Sequence, residues 1–308
     1  MGGSPHHSPS QADCTEKPLR NAHELRLTCR MTVLEVLQST TGYFQKHNIE
    51  SPRLNAEHLL AHVLGRKRIE LYLEFERELN ESELAPLRDL VRRRAAGEPL
   101  QHLLGTVEFC GQTFLCDQRA MIPRPETEQL VGLIKSKIEN RKSKILDVGT
   151  GGGGIALSLA AEFPDAEIVA ADISEDAIAL ARENAERLGL ADRVRFLKSN
   201  LLENVEGVFD LIAANLPYIS TEQRQTLSRE VLHDPEVALF AGVGGDELAR
   251  ELIAQAPLRL RPGALLALEI GIGQSEALVA ALTEKNYRDI CMENDYSGVV
   301  RFLFATYG

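Results

Sequence analysis

The second half of the chain alternates between short apolar runs and helical patterns, and this alternation limits the fold more than any other feature. The apolar runs cover 144–148, 167–171, 194–197, 209–214, 264–270 and 299–305. Stretches with helical periodicity cover 154–162, 174–188, 245–256 and 273–284. Strands that alternate with helices usually become parallel neighbours, because each helix carries the chain back across the sheet. The pattern therefore predicts an α/β fold with a Rossmann-like, doubly wound, mainly parallel sheet.

The first half of the chain has helical patterns instead, from residue 31 to about 104. Ser51-Pro52 predicts a helix start with a capping serine and a proline in the first turn, and Gly65 predicts the end of that helix. Asn80 followed by Glu83 predicts a second start through a capping box. Several short helices in so small a segment predict a helical-bundle domain at 31–104.

A β-like segment at 105–122, with a turn at Gly111, predicts a β-hairpin linker between this bundle and an α/β domain at 123–308. Residues 1–30 are rich in Ser, His, Pro and Gln and lack sustained periodicity, so we expect a poorly ordered extension. Met31 begins the first amphipathic pattern and is therefore a candidate for the natural start.

Composition excludes several classes of protein. At 308 residues with a formal net charge of −11, the chain is unsuited to broad binding of nucleic-acid backbone. The run Arg92-Arg93-Arg94 in one predicted helix could form a local basic patch, but such a run is usually a solvated helix face. No apolar run reaches the length of a membrane span, and the first thirty residues contain no apolar core typical of a signal peptide. We expect a cytoplasmic protein.

The cysteines are too scattered to form a metal-binding motif. Their number is odd and their spacing follows no zinc pattern, so we expect reduced thiols and no metal site. The five positions are Cys14, Cys29, Cys110, Cys116 and Cys291.

The first apolar run of the α/β part leads into a glycine-rich loop. Gly149, Gly151 and Gly154 fit the dinucleotide-binding pattern G-x-G-x-x-G. Asp147, Gly149, Gly151 and Gly153 fit instead the D-x-G-x-G-x-G loop of methyltransferases that use S-adenosylmethionine. An acid two residues before the first glycine would repel a pyrophosphate, so Asp147 favours the second interpretation.

The next two apolar runs also end in polar residues. Asp172 follows the second run, about 20 residues past the loop, where an acid can accept hydrogen bonds from both ribose hydroxyls of either kind of cofactor. The simpler interpretation of Asp172 is an acid at a helix entry before Ser174. Asn200 and Leu201 follow the third run, a region that in methyltransferases commonly supplies a polar contact and an apolar wall to adenine.

The fourth run ends in Asn215-Leu216-Pro217-Tyr218, which combines the parts needed to hold a planar –NH₂ group. Asn215 offers a side-chain oxygen as acceptor. Pro217 biases Leu216 toward an extended backbone, so that the Leu216 carbonyl is a second acceptor. Tyr218 offers a flat face. Two acceptors and a platform suit an amide or exocyclic amine that attacks an electrophile, although the tetrapeptide alone is equally typical of a plain Asn-x-Pro turn.

All these elements stand at the carboxyl ends of predicted strands, which share one edge of a parallel sheet. They therefore predict one crevice that holds S-adenosylmethionine beside an acceptor amine. An oxidoreductase that binds a dinucleotide would leave the tetrapeptide without a role. A non-catalytic module that only binds S-adenosylmethionine would also leave it unused.

Four further segments are similar to the release-factor glutamine methyltransferases, the HemK or PrmC family, and the resemblance extends from about residue 31 to the C-terminus. The most specific is Ile-Pro-Arg-Pro-Glu-Thr-Glu at 122–128. The others are His-Asp-Pro-Glu-Val-Ala-Leu at 233–239, Leu-Glu-Ile-Gly at 268–271 with Gln274, and the stretch from Asp295 to Arg301.

The resemblance implies methyl transfer from S-adenosylmethionine to the side-chain amide nitrogen of the glutamine in the Gly-Gly-Gln motif of class I peptide chain release factors. The implied cofactor contacts are Gly149, Thr150, Gly151, Gly152, Gly153, Asp172, Asn200, Leu201 and Asn215. The implied grip on the substrate amide comes from Asn215, Leu216, Pro217 and Tyr218. The helical domain would recognise the release factor. We expect a monomer that contacts neither membrane nor nucleic acid.

Two positions depart from the family pattern. Leu216 stands where the family usually has proline, and Asn200 stands where it usually has aspartate. The first change should be mild because the carbonyl is the group used, whereas the second loses charge assistance to the adenine contact. Asn-Leu-Pro-Tyr also resembles the motif of adenine dimethyltransferases that act on ribosomal RNA. Adenine-directed methylation of nucleic acid is therefore the main alternative, and it predicts a broad basic surface.

Overall fold

A computed structural model describes Leu27, residues 30–138 and residues 142–308. The extension expected at 1–30 falls outside these residues except for Leu27 and Arg30. The chain divides into two compact units between Arg88 and Asp89. This division falls inside a helix, whereas the sequence predicts a domain boundary at 104–105, so the exact boundary remains a prediction.

The first unit is helical. It contains α1 (Val33–Lys46), α2 (Pro52–Leu64), a 3₁₀ turn (Arg68–Leu73) and the start of α3 (Glu81–Ala95). Its core is a set of leucine, valine and phenylalanine side chains that repeat at helical spacing, including Val36, Leu37, Phe44, Leu59, Leu60, Leu84 and Leu87. These apolar stripes therefore serve packing, as their spacing predicts.

Three predicted helix boundaries in this unit can be compared with the structure. Gly65 ends α2 in the left-handed conformation, as predicted. The Asn80 amide donates to Glu83 Oε2 at 3.0 Å and Asn80 Oδ1 accepts from the Glu83 amide at 3.2 Å, which confirms the capping box. Ser51 stands at the N-cap and Pro52 at the first helical position, as predicted, but Ser51 has a φ of 47° and its side chain caps no amide among the described residues. Pro52 begins the helix without that help.

The second unit holds the end of α3, a hairpin and an α/β sheet. Its helices are α4 (Leu100–Leu104), α5 (Pro125–Lys137), α6 (Gly154–Glu162), α7 (Glu175–Arg187), α8 (Glu236–Leu239), α9 (Glu247–Gln255) and α10 (Ser275–Glu284). Its strands are β1 (Thr106–Phe109), β2 (Gln112–Leu115), β3 (Lys144–Val148), β4 (Glu167–Asp172), β5 (Val194–Lys198), β6 (Phe209–Asn215), β7 (Leu260–Glu269), β8 (Tyr287–Asn294) and β9 (Val300–Tyr307). Short 3₁₀ turns occur at Ala191–Arg193, Thr221–Thr226, Val231–His233 and Ala256–Leu258.

The seven-stranded sheet has the order β5-β4-β3-β6-β7-β9-β8. Neighbours from β5 to β7 are parallel, and β9 is antiparallel to both β7 and β8. This sheet confirms the predicted α/β fold. The chain builds outward from β3 to β5, then returns to place β6 on the other side of β3. The strand order thus reverses between β3 and β6, where open sheets of this type leave a crevice.

Both faces of the central strands are buried, and side chains alternate between the faces. Leu146 and Ile212 pack into one core cluster, whereas their chain neighbours Ile145 and Leu211 pack into the other. This alternation follows from the two-residue repeat of a strand. It also explains why these strands appear in the sequence as continuous apolar runs.

The hairpin formed by β1 and β2 is part of the second unit's core, in addition to its predicted role as a linker. Phe109 and Phe114 are buried and meet edge to face, with ring centroids 5.8 Å apart. Asn184 of α7 is also buried, and its Oδ1 accepts from the Leu115 amide at 2.6 Å. Asn184 Nδ2 donates to the carbonyl oxygens of Leu115 and Gly152 at 3.2 and 2.9 Å. The Asn184 side chain therefore joins the hairpin to the glycine-rich loop.

The basic run at the end of α3 is only partly solvated. Arg92 and Arg93 are exposed. Arg94 is buried and pairs with Glu230 at 2.5 Å, which corrects the interpretation of the whole run as a solvated face. An arginine buried with a carboxylate partner has a structural role. The pairing could not be predicted from the local sequence, because its two residues are far apart in the chain.

Cys110, Cys116 and Cys291 are free thiols, as expected, while the other two cysteines lie outside the described residues. Across the described ranges, no group of three or more His, Cys, Asp and Glu side chains could hold a metal ion. Within the same ranges, every helix falls short of the length and apolar character needed to cross a membrane.

Candidate functional site

A cavity of about 270 Å³ opens at the carboxyl ends of β3, β4 and β6, beside the point where the strand order reverses. Eight of the nine predicted cofactor residues line it: Gly149, Thr150, Gly151, Gly152, Asp172, Asn200, Leu201 and Asn215. Gly153 does not. Most of the remaining lining is apolar and includes Phe109, Ala120, Ile155 and Ile173. The sequence motifs thus come together around one cavity of the size of a small cofactor site.

The glycine-rich loop turns sharply so that the tetrapeptide can lie against it. Gly149 has a φ of 73°, and its amide donates to the Ala171 carbonyl at 2.8 Å. A Cβ at Gly149 would stand only 3.0 Å from Leu216 Cδ2. Gly153 instead begins α6 at a φ of 89°, where a Cβ would stand 2.8 Å from Leu157 Cδ1. Gly153 therefore shapes the turn, and Gly149 allows close approach of the loop to the tetrapeptide.

Asp147 supports this loop from inside the protein. Its carboxylate is fully buried, and Oδ2 accepts from Thr150 Oγ1 at 2.7 Å and from the Ala156 amide at 3.1 Å. Burial raises the pKa of Asp147 to about 7, while these two hydrogen bonds favour the ionised form. The acid that distinguished the two loop patterns therefore acts on the loop's own conformation.

Asp172 joins the loop to the next strand and faces the cavity. Its Oδ2 accepts from the Gly151 amide at 2.8 Å, and its Oδ1 accepts from the Ser174 amide at 2.9 Å. Burial raises the pKa of Asp172, and these hydrogen bonds oppose that rise. A carboxylate has about four acceptor positions, so capacity is left for a ligand hydroxyl beside these amides and that of Ile173.

Asn200 and Leu201 form the third side of the cavity. Asn200 Nδ2 donates to Glu203 Oε1 at 2.9 Å, which leaves its Oδ1 as the acceptor. Leu201 is buried and adopts a left-handed φ of 45°, which places it on the cavity wall. Together with Asp172, these residues provide acceptors and an apolar surface. S-adenosylmethionine, with its adenine, ribose and methionine parts, fits this set.

The tetrapeptide follows β6 and lies between two cavities. Asn215, Leu216 and Pro217 line both the cofactor cavity and a second cavity of about 210 Å³. Tyr218 lines only the second, which is also bordered by the charged residues Arg124, Glu126 and Arg301. We call this second space the acceptor cavity. The tetrapeptide is therefore accessible from two sides.

The side chain of Asn215 is held in one orientation by two residues from other elements. Asn215 Nδ2 donates to Thr127 Oγ1 of α5 at 2.9 Å. Thr127 Oγ1 in turn donates to Glu269 Oε2 at the end of β7, at 2.7 Å. With its nitrogen engaged, Asn215 has its oxygen available as the acceptor toward a ligand. Burial raises the pKa of Glu269 to about 7, opposed by the Thr127 hydrogen bond and by Arg301.

The far end of the tetrapeptide is held by Gln274 and Gly245. Gln274 Nε2 donates to the Tyr218 carbonyl at 3.0 Å, and its Oε1 accepts from the Gly271 amide at 2.8 Å. A Cβ at Gly245 would stand 2.7 Å from the Tyr218 carbonyl oxygen. The Arg301 guanidinium lies 5.4 Å from the Tyr218 ring centroid, within the range of a cation–π contact.

Comparison with known proteins places this site in a family. Residues 35–105 match the model of the PrmC N-terminal domain, and residues 126–245 match that of the methyltransferase small domain. A release factor glutamine methyltransferase of Deinococcus radiodurans is 40% identical over 89% of this chain and 98% of its own length. One from Geobacter sulfurreducens is 39% identical over 90% of this chain and 97% of its own length.

The chain belongs to the release factor glutamine methyltransferase family. The predicted resemblance and the prediction of a methyltransferase are both confirmed. A solved methyltransferase from Pyrococcus furiosus is similar with a TM-score of 0.50 and 19% identity, over 63% of this chain and 88% of that chain. At that identity the likeness concerns the fold alone, and it agrees with the predicted methyltransferase sheet.

Two of the motif blocks that carry the resemblance are joined in the structure of this family member. Arg124 pairs with the buried Asp234 at 2.5 Å. Asp234 Oδ1 also accepts from the Ile122 amide at 3.2 Å. Burial raises the pKa of Asp234, and Arg124 opposes that rise. This pairing attaches the segment that borders the acceptor cavity to the start of α5.

Sequence reasoning singled out the blocks that contain Thr127, Glu269, Gln274 and Arg301 without assigning them roles. The structure brings all four to the tetrapeptide. Their separation along the chain explains the omission, since Thr127 lies 88 residues before Asn215 and Gln274 lies 56 residues after Tyr218. The only available signal was the resemblance itself, because buried polar side chains within a motif require partners.

Proposed function

We propose that this family member transfers a methyl group from S-adenosylmethionine to the side-chain amide nitrogen of the glutamine in the Gly-Gly-Gln motif of class I release factors. The observation that carries the proposal is the orientation of Asn215 between two cavities. Its nitrogen donates to Thr127, so its oxygen is the group that a substrate amide meets. The names of the relatives support the same substrate.

The chemistry requires alignment more than a strong base. The lone pair of an amide nitrogen is delocalised, so the nitrogen is a poor nucleophile. When bound, S-adenosylmethionine supplies an electrophilic methyl group on a sulfonium. Asn215 Oδ1 and the Leu216 carbonyl accept the two amide hydrogens and aim the nitrogen toward the cofactor cavity. Such alignment contributes about 7–11 kcal/mol in favourable systems. The same two acceptors stabilise the positive charge that develops on the nitrogen.

The loop, Asp172 and the segment at 200–201 would hold the cofactor. Asp172 would accept from the ribose hydroxyls with the acceptor capacity that its backbone partners leave open. Asn200 would accept from the adenine amino group, and Leu201 would contact the ring. Gly153 contributes through the turn that begins α6. Leu216 replaces proline without loss of the carbonyl acceptor, since Pro217 still restricts its backbone.

The decisive experiment is the intact mass of a release factor after incubation with the protein and S-adenosylmethionine. We expect one added methyl group, located by peptide mass spectrometry on the glutamine of Gly-Gly-Gln. A release factor in which that glutamine is replaced by asparagine is the control and should gain no methyl. Methylated adenine in RNA or DNA, with the release factor unchanged, would favour the nucleic-acid alternative instead.

The helical domain at 31–104 is proposed to recognise the release factor. Support comes from exposed apolar side chains on the 3₁₀ turn of the first unit, where Ile69 is 69% exposed and Leu73 is 85% exposed. All the residues that line the cofactor cavity belong to the second unit, so the first unit is free to serve another purpose.

Joint replacement of Ile69 and Leu73 by serine tests this proposal. We expect KM for the release factor to rise at least about tenfold, because complete burial contributes about 1.5–3 kcal/mol for each such side chain, and tenfold corresponds to only about 1.4 kcal/mol. The dissociation constant for S-adenosylmethionine should not change. Leu258→Ser in the second unit is the matched control, since Leu258 is 76% exposed. An unchanged KM in the double variant would remove this surface from recognition.

We further propose that the protein acts as a monomer in the cytoplasm and does not bind nucleic acid. The net charge of −11 supports the last point. Light scattering of the purified protein measures its mass directly. Electrophoretic mobility of a labelled RNA in low salt, where backbone binding is strongest, should be unaffected by the protein.

A further inference from the structure

The orientation of Asn215 depends on the direction of a short hydrogen-bond chain. The Thr127 hydroxyl carries one proton, and in this structure it donates that proton to Glu269 Oε2. Thr127 Oγ1 is then an acceptor for Asn215, so the amide nitrogen turns toward α5. A carboxylate only accepts hydrogen bonds, whereas a carboxylic acid also donates. The charge on Glu269 therefore determines which end of the Asn215 amide faces the substrate.

We propose that Thr127 and Glu269 are positioning residues for glutamine methylation, and that the ionised carboxylate of Glu269 keeps the oxygen of Asn215 aimed at the substrate amide. This inference rests on the proposed function. If Thr127 donated to Asn215 instead, the amide would turn over and present its –NH₂ to the substrate –NH₂. Two donors would then face each other, and the substrate nitrogen would lose one of its two acceptors.

The hydrogen-bond chain of Asn215, Thr127 and Glu269 is shielded from solvent. Thr127 is 6% exposed and Glu269 is 4% exposed, so water does not compete for their hydrogen bond. Asn215 and Glu269 are direct neighbours in the register of β6 and β7. Thr127 is brought over them by α5, whose start is held by the pairing of Arg124 with Asp234. Each residue of this hydrogen-bond chain therefore belongs to a regular helix or strand and not to a loop.

Charged and titratable groups from every neighbouring element act on Glu269. Glu126 of α5 raises its pKa and Arg301 of β9 lowers it, while the hydroxyl of Thr127, which donates to it, and the neighbouring Asn215 side chain also lower it. The Tyr218 phenol is also within electrostatic range. Burial is the largest influence and brings the pKa to about 7. Because the folded-state pKa is raised, the carboxylate forms only as the pH passes through that value.

The pH profile of the unaltered enzyme is the first test. We expect kcat/KM for methylation of the release factor to rise with pH through about 7, since kcat/KM reports the ionisation of free enzyme. Glu269→Gln should lower kcat/KM by about 10- to 100-fold, the loss that a misplaced reacting group commonly causes, and should abolish the rise with pH. In Glu269→Gln the dissociation constant for S-adenosylmethionine should change less than about threefold, since Glu269, unlike Thr127, is not among the residues that line the cofactor cavity.

Variants at Thr127 separate positioning from packing. Thr127→Val keeps the shape but removes the hydroxyl, and we expect a loss similar to that of Glu269→Gln. Thr127→Ser restores the hydroxyl at the cost of a methyl group and should recover most of the activity. Thr113→Val is the matched control, because Thr113 Oγ1 also donates to a glutamate, Glu108, at 2.6 Å but lies in the hairpin. Its activity should equal that of the unaltered enzyme.

The outcomes divide clearly. A flat pH profile from 6 to 8 in the unaltered enzyme, or full activity in Thr127→Val, would overturn the positioning role. Equal losses in Thr127→Val and Thr127→Ser, with cofactor affinity lost in parallel, would also overturn it, because they indicate a purely structural role. An unaltered enzyme that leaves the release factor unmethylated would overturn the proposed function instead, and that result appears before any variant is compared.

Discussion

The two sides of the site are built in different ways. On the cofactor side, backbone amides and one carboxylate meet over short stretches of chain, as when Asp172 accepts from Gly151, 21 residues before it. On the acceptor side, the tetrapeptide is held by side chains from three distant elements, with Thr127 88 residues before Asn215. The glycine-rich loop and Asp172 are largely a property of how β3 and β4 end, whereas the support of the tetrapeptide depends on the whole sheet.

This difference has a consequence for function. A cofactor shared by many enzymes can be bound by a local turn, because its shape does not vary between them. The acceptor group differs between enzymes and must be aligned within a fraction of an ångström. Long-range support from α5, β7 and β9 provides that rigidity around Asn215. Substitutions on the two sides should therefore separate cofactor affinity from turnover.

Asn215→Ala should have the largest effect of the substitutions that test this separation. The change removes one of two acceptors and lets the substrate amide rotate away, a loss that commonly costs about 10²–10³ in rate. Cofactor affinity should fall much less, since the loop and Asp172 remain. Mass spectrometry of the Gly-Gly-Gln peptide measures the rate, and calorimetry measures the affinity. Comparable losses in both would mean that the two sides are not separable.

Asn215→Asp refines the same test. If Asn215 only accepted hydrogen bonds, as its sequence context suggests, aspartate would be a mild replacement. In the structure Asn215 also donates to Thr127, which already donates to Glu269. Aspartate would lose that donor and bring a second carboxylate near Glu269. We therefore expect the turnover of Asn215→Asp to be close to that of Asn215→Ala, both below and above neutral pH. The same peptide measures it.

Asp172→Ala should act on the other side of the comparison. The ribose contacts are hydrogen bonds to a charged group, worth about 1.5–3 kcal/mol each before compensation by water. We expect S-adenosylmethionine to bind about 10- to 100-fold more weakly and kcat at saturating cofactor to change little. Calorimetry with a thermal unfolding scan checks affinity and folding together. Unchanged affinity would remove Asp172 from the site.

The parts of the site that sequence predicts are those that directly follow an apolar run. Gly149, Asp172, Asn200 and Asn215 each stand at the end of a strand or just beyond it, the apolar pattern of these strands is plain, and parallel strand ends meet at one edge. Strand β8 escaped prediction because only half of Tyr287–Asn294 is apolar and the strand lies at the sheet edge. Helix α5 escaped because its first residues, Pro125 to Glu128, were interpreted as part of a motif and not as a helix start.

The supports of the tetrapeptide could not be predicted for a different reason. Thr127 and Glu269 are 142 residues apart, and their contact exists only because β6 pairs with β7 beneath α5. The local sequence pattern carries no information about which strands pair in the sheet. The resemblance pointed to the right blocks, but a role for each residue needed the register of the sheet.

A pair of glycine substitutions compares the two sides under matched chemistry. In Gly153→Ala the new Cβ would meet Leu157, and in Gly245→Ala it would meet the Tyr218 carbonyl, at 2.8 and 2.7 Å. Both positions have positive φ, so both variants carry strain of about 1–3 kcal/mol. We expect about tenfold weaker cofactor binding from the first and about tenfold slower turnover from the second. The reverse assignment, read by calorimetry and peptide methylation, would contradict the comparison.

Gln274→Leu should have the smallest effect and tests how far the support of the acceptor side extends. Leucine keeps the volume but loses the hydrogen bonds to the Tyr218 carbonyl and the Gly271 amide. A net hydrogen bond contributes about 0.5–1.5 kcal/mol, so a shift of Tyr218 should slow turnover about threefold and leave cofactor affinity intact. Gln129→Leu is the control, because Gln129 Oε1 also accepts from a backbone amide, that of Tyr296, at 2.9 Å. If both variants slowed turnover equally, the effect would come from general loosening of the sheet edge and not from the hold on Tyr218.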